Sequence, residues 1–243
     1  MESLRSLMKQ RLKETGLWPF RNGRRAVTSK LDAREAYRLW APSYAAETAT
    51  SFVDEELAQE MLCGLPKTRL LDAGCGIGRR IAGLPGAVGI DASPEMLASG
   101  GARNVITGDI REMPFASGCF DMVWCRLVLG HLPDPSRAYR EFARVCAPGG
   151  HVFVTDFHPD AAAAGHQRTF TDGAGVVHQI EHYVHNNHAD FAEAAGLSLV
   201  TQRDGVVAPS IRGFYVRGIG MKAYKRDLGL KLVAGFLFRR PDN

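Results

Sequence analysis

LLDAGCGIGRR, residues 70–80, is the stretch on which the fold turns. An apolar, strand-sized run ends in Gly74, Gly76 and Gly78, which alternate with Cys75 and Ile77, so the backbone can turn sharply and be approached closely. A dinucleotide-type G-x-G-x-x-G begun at Gly74 would need its last glycine at Arg79, where a long side chain obstructs packing of helix on strand. No GK[ST] follows either, which excludes a phosphate loop. Asp72-x-Gly74-x-Gly76-x-Gly78 alone can equally be a plain strand-to-helix connection. Its neighbours add information: Asp91 closes the next apolar run in GIDASPEM, and Asp109 closes a third in GDI.

Outward from this loop, strand and helix patterns alternate. Short apolar runs at 69–73, 87–90, 104–107, 120–127 and 151–157 predict strands; 30–40, 52–65, 93–99 and 135–146 predict helices, the second with an acidic first turn after Ser51. CAPGG at 146–150 stops a helix and turns into the fifth strand. LSLVTQRDG and KLVAGFLFRRP predict a final antiparallel pair. GLPG at 83–86 leaves room for only a short helix before the second strand. This alternation predicts an α/β, doubly wound, mostly parallel sheet, in which ligands bind beyond the carboxyl ends of the strands at the switch point. The glycine turn lies at that edge.

The motifs LLDAGCGIG, VGIDASPEML, GDIREMPFASGCFDMVWC and ARVCAPGGHVFVTDF, spread over about residues 70–157, together resemble the class I S-adenosylmethionine-dependent methyltransferases of the type 11 group. The resemblance implies a Rossmann-like seven-stranded sheet whose last strand pair is antiparallel, and S-adenosyl-L-methionine as cofactor. It implies that Gly74, Cys75, Gly76 and Gly78 pack under the methionine and sugar, and that Asp72 helps hold the methionyl ammonium. Asp91, with Ala92 beside it, would accept from both ribose hydroxyls, and Asp109 with the Ile110 backbone would read the adenine edge. A carboxylate at a strand tip suits a diol, which offers two donors. Asp91 could instead cap the helix before SPEM, although Ser93 can do that, and Asp109 could be a turn residue. The fourth strand brings Cys125 and Arg126 to the cofactor edge. Cys125-Arg126-Leu127-Val128 departs from the Asn/Asp-Pro-Pro-Tyr/Phe motif of enzymes that methylate flat amides or exocyclic amines, and so disfavours those acceptors.

Length and composition fit this reading. The 243 residues, 45% hydrophobic and 23% charged, can bury a full core. The expected organisation is a helical cap over residues 1–50, then a methyltransferase domain over 51–243 with a lid insertion at about 158–187, the N-terminal helices and the β-hairpin flap together forming a lid. Apolar runs are too short for a membrane span and the first residues mix charges, so no secretory signal is read and a cytoplasmic location is expected. Five cysteines without a CxxC pair argue against a disulfide framework and a structural zinc site. The net charge of +4 is concentrated in the first thirty residues and in 212–240, where it could meet an acidic partner such as an acyl carrier protein or simply be solvated. Leu4, Leu7, Met8 and Leu12 share one helical side. No nucleic-acid-binding module is recognisable, so the expected partner is a small-molecule acceptor, and the chain a monomer or homodimer.

Acceptor-site candidates lie outside the shared motifs. In AREAYRLWAPSY, residues 33–44, the family resemblance places Tyr44 over the cofactor with Tyr37 and Trp40 nearby; cap-helix packing is the alternative. His131, just after the fourth strand, is a base, a wall of the methionine pocket or a structural histidine. Histidines then crowd residues 158–188. DGAG predicts a hairpin flap, on which His178 and His182 share a face with Val176, Ile180 and Val184. They either meet an anionic acceptor, acting as base or binding group, or lie on the surface. No metal is expected. Asn187 is placed to cap HADFAEAAG, which Gly196 stops. The predicted function is methyl transfer to a small molecule, with a carboxyl or hydroxyl acceptor favoured. The alternatives are carboxyl methylation of a carrier-bound acyl chain, as in biotin synthesis, and a non-catalytic cofactor-binding partner.

Overall fold

The computed structural model describes residues 29–44 and 48–242. The N-terminal helix side bearing Leu4 to Leu12 lies outside them. The main sheet contains β2 (Leu70–Ala73), β3 (Ala87–Asp91), β4 (Val105–Thr107), β5 (Phe120–Arg126), β6 (Cys146–Phe157), β9 (Ser198–Val206) and β10 (Lys231–Arg239). Its order is β4-β3-β2-β5-β6-β10-β9. The first five run parallel, and β10 pairs antiparallel with both β6 and β9. This is the doubly wound arrangement expected from the alternation, and its order reverses at β2, between β3 and β5.

Helices cover both faces, so the central strands read as nearly continuous apolar runs. Alternate residues feed two cores. Leu70, Met122, Trp124 and Phe153 pack against Val53 and Leu57 of α2 (Ala49–Met61). Leu71, Val123, Cys125 and Val154 pack against Tyr139 and Phe142 of α4 (Ser136–Val145), and Ala192 of α6 (His188–Ala194) joins them. Asn187 stands at the N-cap of α6 but its side chain makes no capping bond.

Several boundaries differ from the sequence reading for identifiable reasons. Residues 29–31 are a strand, β1 (Ser29–Leu31), and the helix α1 (Ala33–Trp40) begins only after Asp32, whose carboxylate accepts from the Glu35 N–H. Helix α2 starts earlier than expected, because Thr48 and Ser51 cap each other's backbone reciprocally. Between β2 and β3 the chain makes turns and no helix at all; Gly83 and Gly86 both have positive φ there. Helix α3 (Pro94–Ser99) is capped by Ser93.

The predicted flap is present as β7 (Thr169–Thr171) and β8 (Val177–Ile180), an antiparallel pair that follows α5 (Pro159–Ala163). β1 adds to it in parallel, so cap and flap form one three-stranded sheet in the order β1-β8-β7. Two helices that the sequence reading did not separate, α7 (Arg212–Ile219) and α8 (Met221–Asp227), fill the connection from β9 to β10. No helix among the described residues is long and apolar enough to cross a membrane, and no group of three His, Cys, Asp or Glu side chains among them is arranged to hold a metal.

Candidate active site

Gly74, Gly76 and Gly78 all have positive φ, at 81°, 57° and 70°. The glycines are also sterically required. A Cβ on Gly74 would lie 2.4 Å from Val128 Cγ2, and one on Gly78 would lie 2.5 Å from the Ala102 Cβ. At Gly76 the neighbours stand further off: the added atom would be 3.2 Å from Met96 Cε and 3.8 Å from Tyr44 Cε1. The loop is thus a bare main-chain floor with a methionine and a tyrosine edge above it.

Three acids surround this floor. Asp72 is completely buried, and neither carboxylate oxygen has a hydrogen-bond partner. Burial pushes its pKa up, while Arg80 and Arg126 pull against that. Asp91 accepts from the Gly76 N–H at 2.7 Å through Oδ2 and from the Ser93 N–H at 2.9 Å through Oδ1. Burial raises its pKa as well, opposed by those N–H groups. Ser93, not Asp91, caps the following helix, as its Oγ accepts from the Met96 N–H at 3.2 Å. Asp109 is half-exposed and gripped by Arg111, whose hydrogen bonds hold its carboxyl below the usual range. Ile110 and Cys75 are buried and Ala92 is exposed. Cys125 is enclosed in the core, where burial raises its thiol pKa strongly; it does not open to the site.

Next to Asp72 lies an ionic cluster that sequence reasoning missed. Asp54 of α2 is buried and accepts from Arg126 Nη2 at 2.8 Å, Arg80 Nη2 at 2.9 Å and Thr155 Oγ1 at 2.6 Å. Burial alone would raise the Asp54 pKa, but Arg126 and Arg80 outweigh it and lower it. After Arg126 the chain enters the left-handed region at Leu127, φ 60°, a costly geometry for a leucine and one that tends to mark functional sites.

The candidates from the cap and flap separate into two groups. Tyr37, Trp40 and Tyr44 form an aromatic cluster, with Trp40 and Tyr44 ring centroids 4.8 Å apart. Tyr37 Oη lies 2.9 Å from His131 Nε2, and His131 Nδ1 lies 3.3 Å from the Glu181 carbonyl. If Nδ1 carries the proton, Nε2 accepts from Tyr37. Burial lowers the His131 pKa to about 3, helped by Arg168 and His182. His182 packs edge-on against His131, and its Nε2 is 3.6 Å from Asp156 Oδ1. Asp156, at the end of β6, is flanked on its other oxygen by His188 at 3.4 Å. Burial would raise its pKa, and the two histidines more than reverse this. His178 belongs to neither group: it stays within the small sheet, bonded to Asp172 at 2.8 Å and to Ser29 at 2.9 Å, and stacked on Phe170. It shares no contact with His182, which lies beyond the end of β8.

Above the strand tips is a cavity of about 340 Å³, within the size range of small-molecule sites. The cap contributes Trp40 and Tyr44, the loop Arg79 and Arg80, the strand tips Leu127 and Phe157, and the flap Arg168; Phe214, Tyr215 and Arg217 of α7 close the far side. Tyr44 and Arg80 border both this cavity and the glycine floor.

Residues 71–154 match the model of a family described as a methyltransferase domain. The match spans the strands and the glycine floor of the main sheet. The chain is 41% identical over 111 residues to a malonyl-[acyl-carrier protein] O-methyltransferase of Herminiimonas arsenicoxydans, covering 42% of either chain. It is 39% identical over 98 residues to a demethylmenaquinone methyltransferase of Mycolicibacterium vanbaalenii, covering 38% of this chain and 43% of that one. The chain thus matches less than half the length of these two curated relatives. A putative S-adenosylmethionine-dependent methyltransferase of Listeria monocytogenes shares the fold with a TM-score of 0.61 at 15% identity, covering 79% of this chain and 98% of that one. One from Mesorhizobium loti does so at 0.57 and 18%, covering 77% and 98%.

Proposed function

We propose that the protein transfers the methyl group of S-adenosylmethionine to a small-molecule acceptor held in the cavity beneath the flap. The observation that carries this reading is Asp72, a fully buried carboxylate with neither oxygen hydrogen-bonded, beside a floor of three glycines. Such a group is costly unless a ligand supplies donors, and an ammonium does so. The residues fit the cofactor. Asp72 would face its ammonium, Asp91 the ribose diol, Asp109 and the Ile110 backbone the adenine, and Gly76 would admit its sulfonium end below Tyr44. When bound, the sulfonium supplies an already activated methyl group.

The protein's own work is then alignment and exclusion of water. Trp40, Tyr44 and Arg168 close the cavity from the cap and flap sides. His131 is neutral at physiological pH and its free ring nitrogen is taken by Tyr37, so it orients that tyrosine and walls the site in preference to serving as a base.

The test is calorimetric titration with S-adenosylmethionine, followed by an acceptor screen that detects S-adenosylhomocysteine. Saturable binding is expected, and Asp91→Ala should weaken it by about 1–3 kcal/mol. Undiminished affinity in a folded Asp91→Ala protein would remove the ribose role.

A second reading, carboxyl methylation of an acyl chain on a carrier protein, is favoured by the name of the Herminiimonas relative. Turnover of a carrier-bound acyl carboxylate but not of the free acid would select it. Cofactor binding with no turnover on any acceptor would select a non-catalytic partner.

A further inference from the structure

The cavity carries more positive charge than methyl donation requires, and it is arranged around an apolar slot. Arg79, Arg168 and Arg217 reach it from three separate segments: the glycine loop, the flap and α7. Among the described residues none of the three has a carboxylate ion-pair partner, and no Asp or Glu lines the cavity. By contrast, Arg80 in the same wall is matched by Asp54. Asp227, behind the wall residues Tyr215 and His166, is matched by Arg226. Arg168 Nη1 is buried without a hydrogen-bond partner, as is Arg80 Nε. The Arg217 guanidinium sits 5.2 Å from the Phe214 ring centroid, a geometry that holds a planar cation in place. Trp40, Tyr44 and Phe157 add aromatic surface to the same lining.

A buried guanidinium N–H left unsatisfied is unfavourable, and an anion is the partner that pairs with it most strongly. We propose that the methyl acceptor is an anion with an apolar body, its carboxylate-like group read by Arg168 and Arg217 and its body set against Trp40, Tyr44 and Phe157. This rests on the reading of the cavity as the acceptor site. Arg168 and Arg217 are specificity determinants here, and Arg79, which is exposed, adds to the attraction at the mouth.

The experiment compares 2-naphthoate with its neutral isostere 2-naphthamide, titrated calorimetrically into the full chain with and without saturating S-adenosylhomocysteine. The carboxylate should bind roughly 10- to 100-fold more tightly than the amide. Raising salt from about 50 to about 300 mM should weaken the carboxylate alone. Arg168→Gln should bring the two affinities close together without altering the affinity for S-adenosylhomocysteine. Arg217→Gln, an exposed position that does not endanger folding, should narrow the gap in the same direction. Equal affinities in the unaltered protein, no binding of the carboxylate, or a gap that survives both variants would overturn the proposal. So would an Arg168→Gln protein that loses S-adenosylhomocysteine binding, because the guanidinium would then serve the cofactor's own carboxylate. Failure of the unaltered protein to bind S-adenosylhomocysteine would instead remove the methyl-donor reading, while the carboxylate preference is still measured in the cofactor-free titration.

Discussion

Asp72 illustrates how one residue can be poor for stability and suited to a site. Its carboxylate is buried, has no donors, and has a pKa raised by burial against the pull of Arg80 and Arg126. A carboxyl whose folded-state pKa exceeds its unfolded value near 3.9 favours the folded state below that value and loses the contribution as pH rises through the folded pKa. Asp72→Asn, which carries no charge, should therefore make the ligand-free protein more stable at pH 7 by about 1–2 kcal/mol. The advantage should shrink toward pH 3, and the same variant should bind S-adenosylmethionine more weakly. Denaturant unfolding at several pH values, with and without the cofactor, checks both signs. An Asn variant less stable than the parent at pH 7 would mean that the two arginines need the charge more than burial penalises it. The residues at this end of the site were legible in the sequence because each follows locally from its own strand: Asp72, Asp91 and Asp109 close or precede turns, and the glycines are demanded by positive φ. His131 was legible in place but not in state, since its lowered pKa comes first from burial under the cap and flap and then from Arg168 and His182, which reach it from the distant flap.

At the scale of elements, α2 is clamped across the strand tips by a charge cluster. Asp54 binds Arg126 at the end of β5, Thr155 near the end of β6 and Arg80 in the glycine loop, partners 72, 101 and 26 residues away. No periodicity connects such positions. In the sequence the helix reads as having an acidic first turn, whereas in the fold it begins at Ala49 and Asp54 lies past that turn, pointing inward. Removing the carboxylate would leave two guanidiniums without their shared partner, so Asp54→Asn should cost about 3–5 kcal/mol. Thr155→Val, which removes one hydrogen bond to the same acid, should cost about 1 kcal/mol. Urea unfolding measures both, and near-equal losses would show that the ionic contacts carry no special weight. Helices α7 and α8 were illegible for a different reason: RGFYVRGIG mixes glycines with aromatic and β-branched residues that do not favour a helix. They are held by packing of Tyr215 and Tyr224 in the core beneath α2.

Across the whole molecule, cap and flap behave structurally as one body. The sequence reading expected the N-terminal helices and the hairpin to form a lid but not the strand that joins them: β1 pairs with β8 over Ser29–Leu31, and Lys30 bridges to Glu181 at 3.1 Å. Their shared core is small: Ala36, Phe170 and Ile180 are buried together, with Leu31, Leu39 and Trp40 packed around them. This cluster is separate from the two cores of the main sheet, so it can open at a cost well below that of global unfolding. Ile180→Ala removes its central aliphatic side chain, and the cavity left behind should cost about 2–5 kcal/mol locally. Amide exchange in that variant should accelerate together at residues 29–40 and 169–180, while β5 and β6 keep their protection. Acrylamide should reach Trp40 more readily, with Trp124, buried in the main core, still shielded. Binding the cofactor and an anionic acceptor should slow exchange in both segments at once, because Trp40, Tyr44 and Arg168 of this body all face the cavity. If β1 exchanged independently of β7 and β8 in the parent protein, the three strands would not move as one lid, and closure over the acceptor would have to come from the flap alone.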